Sequence, residues 1–277
     1  MVEVNLQINP RFFNKAYLPY LYNQPKGKSA TMVFYGGAGS GKSVFVVQNT
    51  ILKGLASKRK FLVVRKVGNT LRDSIFAEYK AALAKFNIIG LCKIKESYLS
   101  IELPNGTQFI FKGMEDDDKI RSIQGITDIV IEEASDLGFD EYSQLRLRIR
   151  DLKSGNNQVF LMYNPVSKQK WVYPLFHSTK PDDVKGRPEN LTVVHTTYLD
   201  NKFLPQEYLD NLMEMKHNNP VYYEVYAMGK FANLGKTVYT NWKSYFFKLD
   251  DIRFDEHGRS RHGITFHYGL DFGLACQ

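Results

Sequence analysis

Three features of the sequence predict an α/β fold with a mainly parallel sheet and helices on both faces. Apolar runs alternate with segments of helical periodicity between residues 31 and 163, the order that joins parallel strands through crossover helices. The runs Phe61-Leu62-Val63-Val64, Ile129-Val130-Ile131 and Val159-Phe160-Leu161-Met162 are apolar at consecutive positions, as strands covered on both faces must be. A glycine-rich stretch, Gly36-Gly37-Ala38-Gly39-Ser40-Gly41-Lys42-Ser43, joins the first run to the first helical segment.

Composition sets the outer limits. The 277 residues are 43% hydrophobic and 24% charged, ordinary for a globular protein of one large domain or two smaller ones. No apolar stretch nears the roughly 20 residues that span a bilayer, so no membrane association is expected. The start, Met1-Val2-Glu3-Val4-Asn5, lacks a basic segment followed by an apolar one, so export is not expected. Two cysteines, Cys92 and Cys276, make no disulfide framework and point to a reducing compartment. Net charge is +8, unevenly spread: residues 1–100 hold 16 Lys/Arg against 4 Asp/Glu, the remainder 21 against 25. A polyanionic partner near the N-terminal half would account for this, as would a solvated surface around a phosphate site.

Residues 1–30 are rich in aromatics (Phe12, Phe13, Tyr17, Tyr20, Tyr22). They suit packing beside an adenine, an assembly arm or cover for a sheet edge. The strand at 31–36 then feeds the glycine stretch, which fits the phosphate-loop pattern G-x-x-x-x-G-K-[ST]. Glycines let the backbone curl so that successive N–H groups of residues 36–43 face an anion, and Lys42 adds a cation. Ser43 opens a helix reaching Ser57, with its N-terminus toward the β-phosphate and its hydroxyl able to ligate Mg²⁺. ATP with Mg²⁺ is the expected ligand, and the expected fold is a P-loop NTPase of the ASCE type.

Phe61–Arg65 reads as a buried strand, and residues 71–86 as a helix with Leu71, Ile75, Tyr79, Leu83 and Phe86 at helical spacing. Two alternating runs, 98–103 and 108–111, flank an Asn-Gly turn and predict a hairpin. Asp128–Ile131 is a strand whose tip carries Glu132 and Glu133. In a parallel sheet that tip faces the ligand. Glu132 is expected to hold Mg²⁺, with one methylene more than the usual Asp, and Glu133 to orient and deprotonate the attacking water. Phe139, Tyr142, Leu145 and Ile149 share a helix face in the segment 139–151. Arg146, Arg148 and Arg150 then stay outside, with Arg148 the first candidate for an arginine finger and Arg121, in the loop before the catalytic strand, the second. The strand at 158–163 ends at Asn164-Pro165, and Asn164 is either a γ-phosphate sensor or a turn initiator. After a polar loop at 180–188, a strand at 190–198 and helices at 205–216 and 219–228 form a small helical subdomain. The spacing of His257, His262 and His267 suits no common metal site. The resulting domain plan is a core at 1–180, the helical subdomain at 181–235, and a final segment at 236–277.

The ordered series of motifs resembles the large terminase subunit of tailed bacteriophages. It comprises the phosphate loop, Val-Arg-Lys-Val (64–67), Ile-Glu-Glu-Ala-Ser (131–135), Tyr-Asn-Pro (163–165), Thr-Thr-Tyr-Leu-Asp-Asn (196–201), Val-Tyr-Tyr-Glu-Val-Tyr-Ala-Met-Gly-Lys-Phe (221–231) and Tyr-Gly-Leu-Asp-Phe-Gly (268–273). The resemblance implies an ATPase that pumps double-stranded DNA into a procapsid. Implied partners are the portal, the small terminase subunit and further copies of the chain in a ring, all in the host cytoplasm. It also implies an RNase H-like nuclease following the ATPase, whose first strand would carry Asp271 as a metal ligand. Cleavage needs several carboxylates around two ions, so a chain ending here is expected to be an ATPase fragment without nuclease activity. Many relatives carry Arg where Ala38 stands, so the charge on the γ-phosphate must come from elsewhere. The competing expectations are a P-loop helicase or recombinase-like ATPase, and a nucleotide switch that does not hydrolyse; Glu133 opposes the latter.

Overall fold

The computed structural model describes residues 9–149, 155–165, 167–183 and 185–231. One eight-stranded sheet runs in the order β3-β4-β5-β2-β6-β7-β1-β8. Its strands are β1 (Thr31–Gly36), β2 (Lys60–Arg65), β3 (Lys93–Lys95), β4 (Ser100–Glu102), β5 (Gln108–Gly113), β6 (Asp128–Ile131), β7 (Val159–Tyr163) and β8 (Leu191–Thr196). All neighbouring pairs from β5 to β8 are parallel. The expected hairpin appears as the antiparallel pair β4–β5, extended by the short β3, which no sequence pattern announced. Gly106, at φ +81°, makes its turn.

The strand side chains divide by parity. Met32, Phe34, Phe61, Val63, Phe109, Phe111, Phe160 and Met162 face a core closed by α1 (Lys42–Ala56) and α2 (Ile75–Lys85). Val33, Leu62, Val64, Ile129, Ile131 and Leu161 face a second core, under α3 (Asp117–Ser122), α4 (Phe139–Arg146) and α5 (Val172–Phe176). Burial on both faces is why these strands read as unbroken apolar runs.

Three expectations change. The boundary expected at 180/181 does not end the sheet: β8 pairs in parallel with β1 along its whole length, and the described residues lie in one compact unit. The polar loop before β8 is a crossover, so the composition shift marked a connection and not an edge. Arg121 lies on α3 and not in a loop. The helix expected over 139–151 stops at Arg146, so Arg148 sits in the turn beyond it, its N–H bonded to the Leu145 carbonyl. Pro10–Phe12 and Lys15–Tyr20 form 3₁₀ turns, and Phe13 between them and Tyr17 are buried, Tyr17 stacked on Phe45 at 4.6 Å. The histidines beyond 250 and Asp271 fall outside the described residues.

A helical region follows β8: α6 (Gln206–Asn218), the short α7 (Pro220–Tyr222) and a π-helical turn, Tyr223–Ala227. Tyr198, Leu212, Tyr223 and Ala227 form its own small core. At the N-terminal end of the strands lies a buried ion cluster. Asp128, fully buried, accepts from Lys53 at 2.5 Å and Arg59 at 3.0 Å. Lys53 also donates to Gln158 Oε1 at 2.5 Å. The cluster thereby joins α1, the starts of β2 and β6, and the residue before β7.

Candidate nucleotide site

β1 delivers the chain to the loop, and Gly41, at φ +79°, turns it into α1. An L side chain there would be strained. Lys42 is the first residue of α1 and donates to the Gly37 carbonyl at 3.1 Å. Burial pulls its ammonium pKa down to about 8, against the pull of Glu78 and Glu133. Several neighbours hold the loop in shape. Asn201 donates to the Gly39 carbonyl at 2.6 Å, and Tyr17 to the Ser40 carbonyl at 3.0 Å. The Ala38 N–H donates to the Tyr226 carbonyl at 2.6 Å. Gly37 allows this approach, because a Cβ there would lie 2.1 Å from the Ala227 oxygen.

Glu132 and Glu133 follow β6, and Glu133 takes left-handed backbone angles, φ +50° and ψ +46°. Arg65, at the tip of neighbouring β2, reaches both: 2.5 Å to Glu133 and 3.6 Å to Glu132. Ser74, at the start of α2, donates to Glu132 at 3.2 Å. Burial raises the Glu132 carboxyl pKa, opposed by Arg65 and Ser74. Glu78, one turn further along α2, is pushed up to about 7 by burial and by the Glu132 charge, against the pull of Lys42. β7 lies between β6 and β1, so Asn164 stands at the tip between the paired acids and the loop. Its Oδ1 is buried and has no hydrogen-bond partner.

Among the described residues no cluster of three or more His, Cys, Asp or Glu could hold a metal unaided. Mg²⁺ does not need one, since it keeps several waters and takes one or two carboxylates together with phosphate oxygens. Ser43 on the first turn of α1 and the mostly buried Glu132 suit that role. The buried Oε2 of Glu78, without a partner, is a further acceptor of the kind a hydrated cation uses. The residues fit the ion. Beside Gly41 and Val44 opens a cavity of about 160 Å³, lined also by Phe12, Tyr17, Lys85 and Phe203. Arg148 lies apart from the acids, on the α3–α4 flank, where it donates to the Arg121 carbonyl at 3.4 Å.

The sequence profile of the phage terminase large subunit matches residues 28–230. The chain belongs to the phage terminase large-subunit family. It is 31% identical over 243 residues to the PBSX phage terminase large subunit of Bacillus subtilis, covering 82% of this chain and 53% of that protein. It is 31% identical over 252 residues to the terminase large subunit of Bacillus phage SPP1, with 86% and 58% covered. The chain thus spans little more than half the length of these relatives. The large terminase of a thermophilic bacteriophage, solved in complex with ATP-γ-S, superposes with a TM-score of 0.62 at 16% identity, over 79% of this chain and 53% of that one. The fold is the P-loop NTPase fold of terminase ATPase domains.

For this terminase chain the structure brings together the loop, Glu132, Glu133 and Asn164, and leaves Arg148 and Arg121 elsewhere. Sequence reasoning assigned no role to Arg65, Ser74, Glu78, Asn201 or Tyr226. Arg65, Asn201 and Tyr226 lay inside recognised motifs. Ser74 and Glu78 had only the polar face of a helix to mark them.

Proposed function

We propose that the chain is the ATP-hydrolysing part of a motor that drives double-stranded DNA into a procapsid. The observation that carries this is the order of strand tips β6, β7 and β1, which sets the acids Glu132 and Glu133, the amide of Asn164 and the glycine loop side by side. Lys42 and the loop N–H groups other than that of Ala38, which is bonded to Tyr226, hold the β- and γ-phosphates. Glu133 aligns the attacking water and takes its proton. Asn164 reports on the γ-phosphate through its side-chain amide. Ser43 and Glu132 would hold Mg²⁺, which when bound would neutralise charge on the phosphate oxygens. The cavity beside Gly41 takes the base and ribose, with Phe12 and Phe203 as apolar walls.

The outer face of β3–β4–β5 supports the DNA reading. It carries Lys93, Lys95 and Lys112, with Glu102 paired to Lys93 at 3.1 Å, around a cavity of about 260 Å³ with the exposed Tyr98 at its edge. Charge of that kind suits a phosphate backbone without base readout. Portal, procapsid and small terminase subunit are the expected partners, with the chain assembling as a ring in the host cytoplasm. ATP hydrolysis measured with and without DNA tests the proposal. Wild type is expected to turn over ATP, and Lys42→Ala to lose both nucleotide binding and hydrolysis, because the β- and γ-phosphates lose their cation. Equal binding of a fluorescent ATP analogue by Lys42→Ala and wild type would place the nucleotide elsewhere.

A further inference from the structure

We propose that Glu78 is a further carboxylate of the nucleotide–magnesium site, placed on α2 to accept a hydrogen bond from water in the ion's coordination shell. The inference rests on the nucleotide reading of the loop and adds to it a residue from a different element. Ser74 and Glu78 are four residues apart and share one side of the start of α2. That side faces the site, because Ser74 donates to Glu132. Glu78 lies within electrostatic range of both Lys42 and Glu132, yet among the described residues it forms no ion pair with Lys42. One of its oxygens, Oε2, is shielded from solvent and has no hydrogen-bond partner.

A shielded carboxyl oxygen without a partner carries a desolvation cost. Packing does not require it, since Ile75, Phe76, Tyr79 and Leu83 supply the buried surface of α2. What the position offers is an acceptor within electrostatic range of Lys42 and Glu132, not in direct contact with Lys42 and so suited to a bridging water. Mg²⁺ dehydrates reluctantly, and carboxylates one water removed from it help to fix its shell. Glu78 is therefore a positioning residue. It acts on the ion through water and does not touch the phosphates.

The test uses the whole chain and a fluorescent ATP analogue, titrated in EDTA and across a Mg²⁺ series. Glu78→Gln keeps the shape and removes the charge. It should bind the analogue in EDTA at least as tightly as wild type, while the Mg²⁺ concentration for half-maximal enhancement rises about tenfold, the lower end for loss of an outer-shell partner. Glu78→Asp should recover part of that loss. Mn²⁺ electron paramagnetic resonance, at fixed analogue concentration, should show the same order of ion affinity without relying on turnover. Equal weakening with and without Mg²⁺ in both variants would reduce Glu78 to a structural role. An unmoved Mg²⁺ dependence would remove it from the ion's surroundings while leaving the loop's role intact. If wild type bound the analogue no better than Lys42→Ala, the nucleotide reading itself would fall.

Discussion

Glu133 adopts a backbone conformation that a non-glycine residue enters at a cost of about 1–3 kcal/mol. The twist turns its carboxylate toward Arg65, and the same reach defines where a water could be activated. Glu133→Gln should leave ATP binding intact while turnover falls by about 10² or more, the low end for loss of a general base. Single-turnover hydrolysis beside analogue binding measures both, and near-normal turnover would take Glu133 out of the reaction. At this scale the sequence was informative where spacing itself is the chemistry. Gly36, Gly41, Lys42 and Ser43 are fixed relative to one another by a single loop, and Glu132 and Glu133 by the end of a single strand. Arg65, Ser74 and Glu78 reach the site only once β2 and α2 pack beside β6. Their sequence context shows a strand end and a helix surface, and nothing local says which neighbour they meet.

Among the elements, β7 had the largest effect on the functional reading. Its apolar run identified it as a strand, but its place between β6 and β1 is a matter of topology, and that place sets Asn164 between the acids and the loop. β8 was legible as a strand and misassigned in its partnership, because hydrophobic pattern reports burial and not which strand lies alongside. The cluster around Asp128 was illegible for a similar reason: Lys53, Arg59, Asp128 and Gln158 are scattered over about a hundred residues of sequence. Asp128 also accepts from Thr127 at 2.7 Å and from the Gln158 N–H at 3.1 Å. Asp128→Asn leaves the ammonium of Lys53 and the guanidinium of Arg59 buried without their counter-charge, and should cost about 3–5 kcal/mol of stability. Urea unfolding of the two proteins checks this, and a change below about 1 kcal/mol would mean that solvent reaches the cluster.

For the whole molecule, the open question raised by Ala38 is where the charge on the transferred phosphoryl group comes from. Arg65 brings one guanidinium to the acids from within the chain. Arg148 sits beyond α4, on a flank separate from the loop, and suits action on a neighbouring copy. An arginine supplied in that way is worth about 10³ or more in rate. Specific activity should then rise with protein concentration as copies assemble. Mixing Arg148→Ala with Lys42→Ala should restore activity, since one contributes an intact pocket and the other an intact finger. Absence of rescue in mixtures shown to co-assemble would remove Arg148 from that role.

The cluster at the far end of the sheet also bears on how movement at the site would be constrained. Lys53 lies eleven residues along the same helix as Lys42, Asp128 begins the strand that Glu132 follows, Gln158 precedes the strand that leads to Asn164, and Arg59 stands just before the strand that ends in Arg65. The loop's helix and the strands that lead to Arg65, Glu132 and Asn164 are thus tines of one fork, joined at the handle by a buried electrostatic pin. Sliding one tine along another would pull charges from their partners in a medium that cannot replace them. With the handle pinned in this way, movement at the tips would be felt first at the loop contacts of Asn201 and Tyr226.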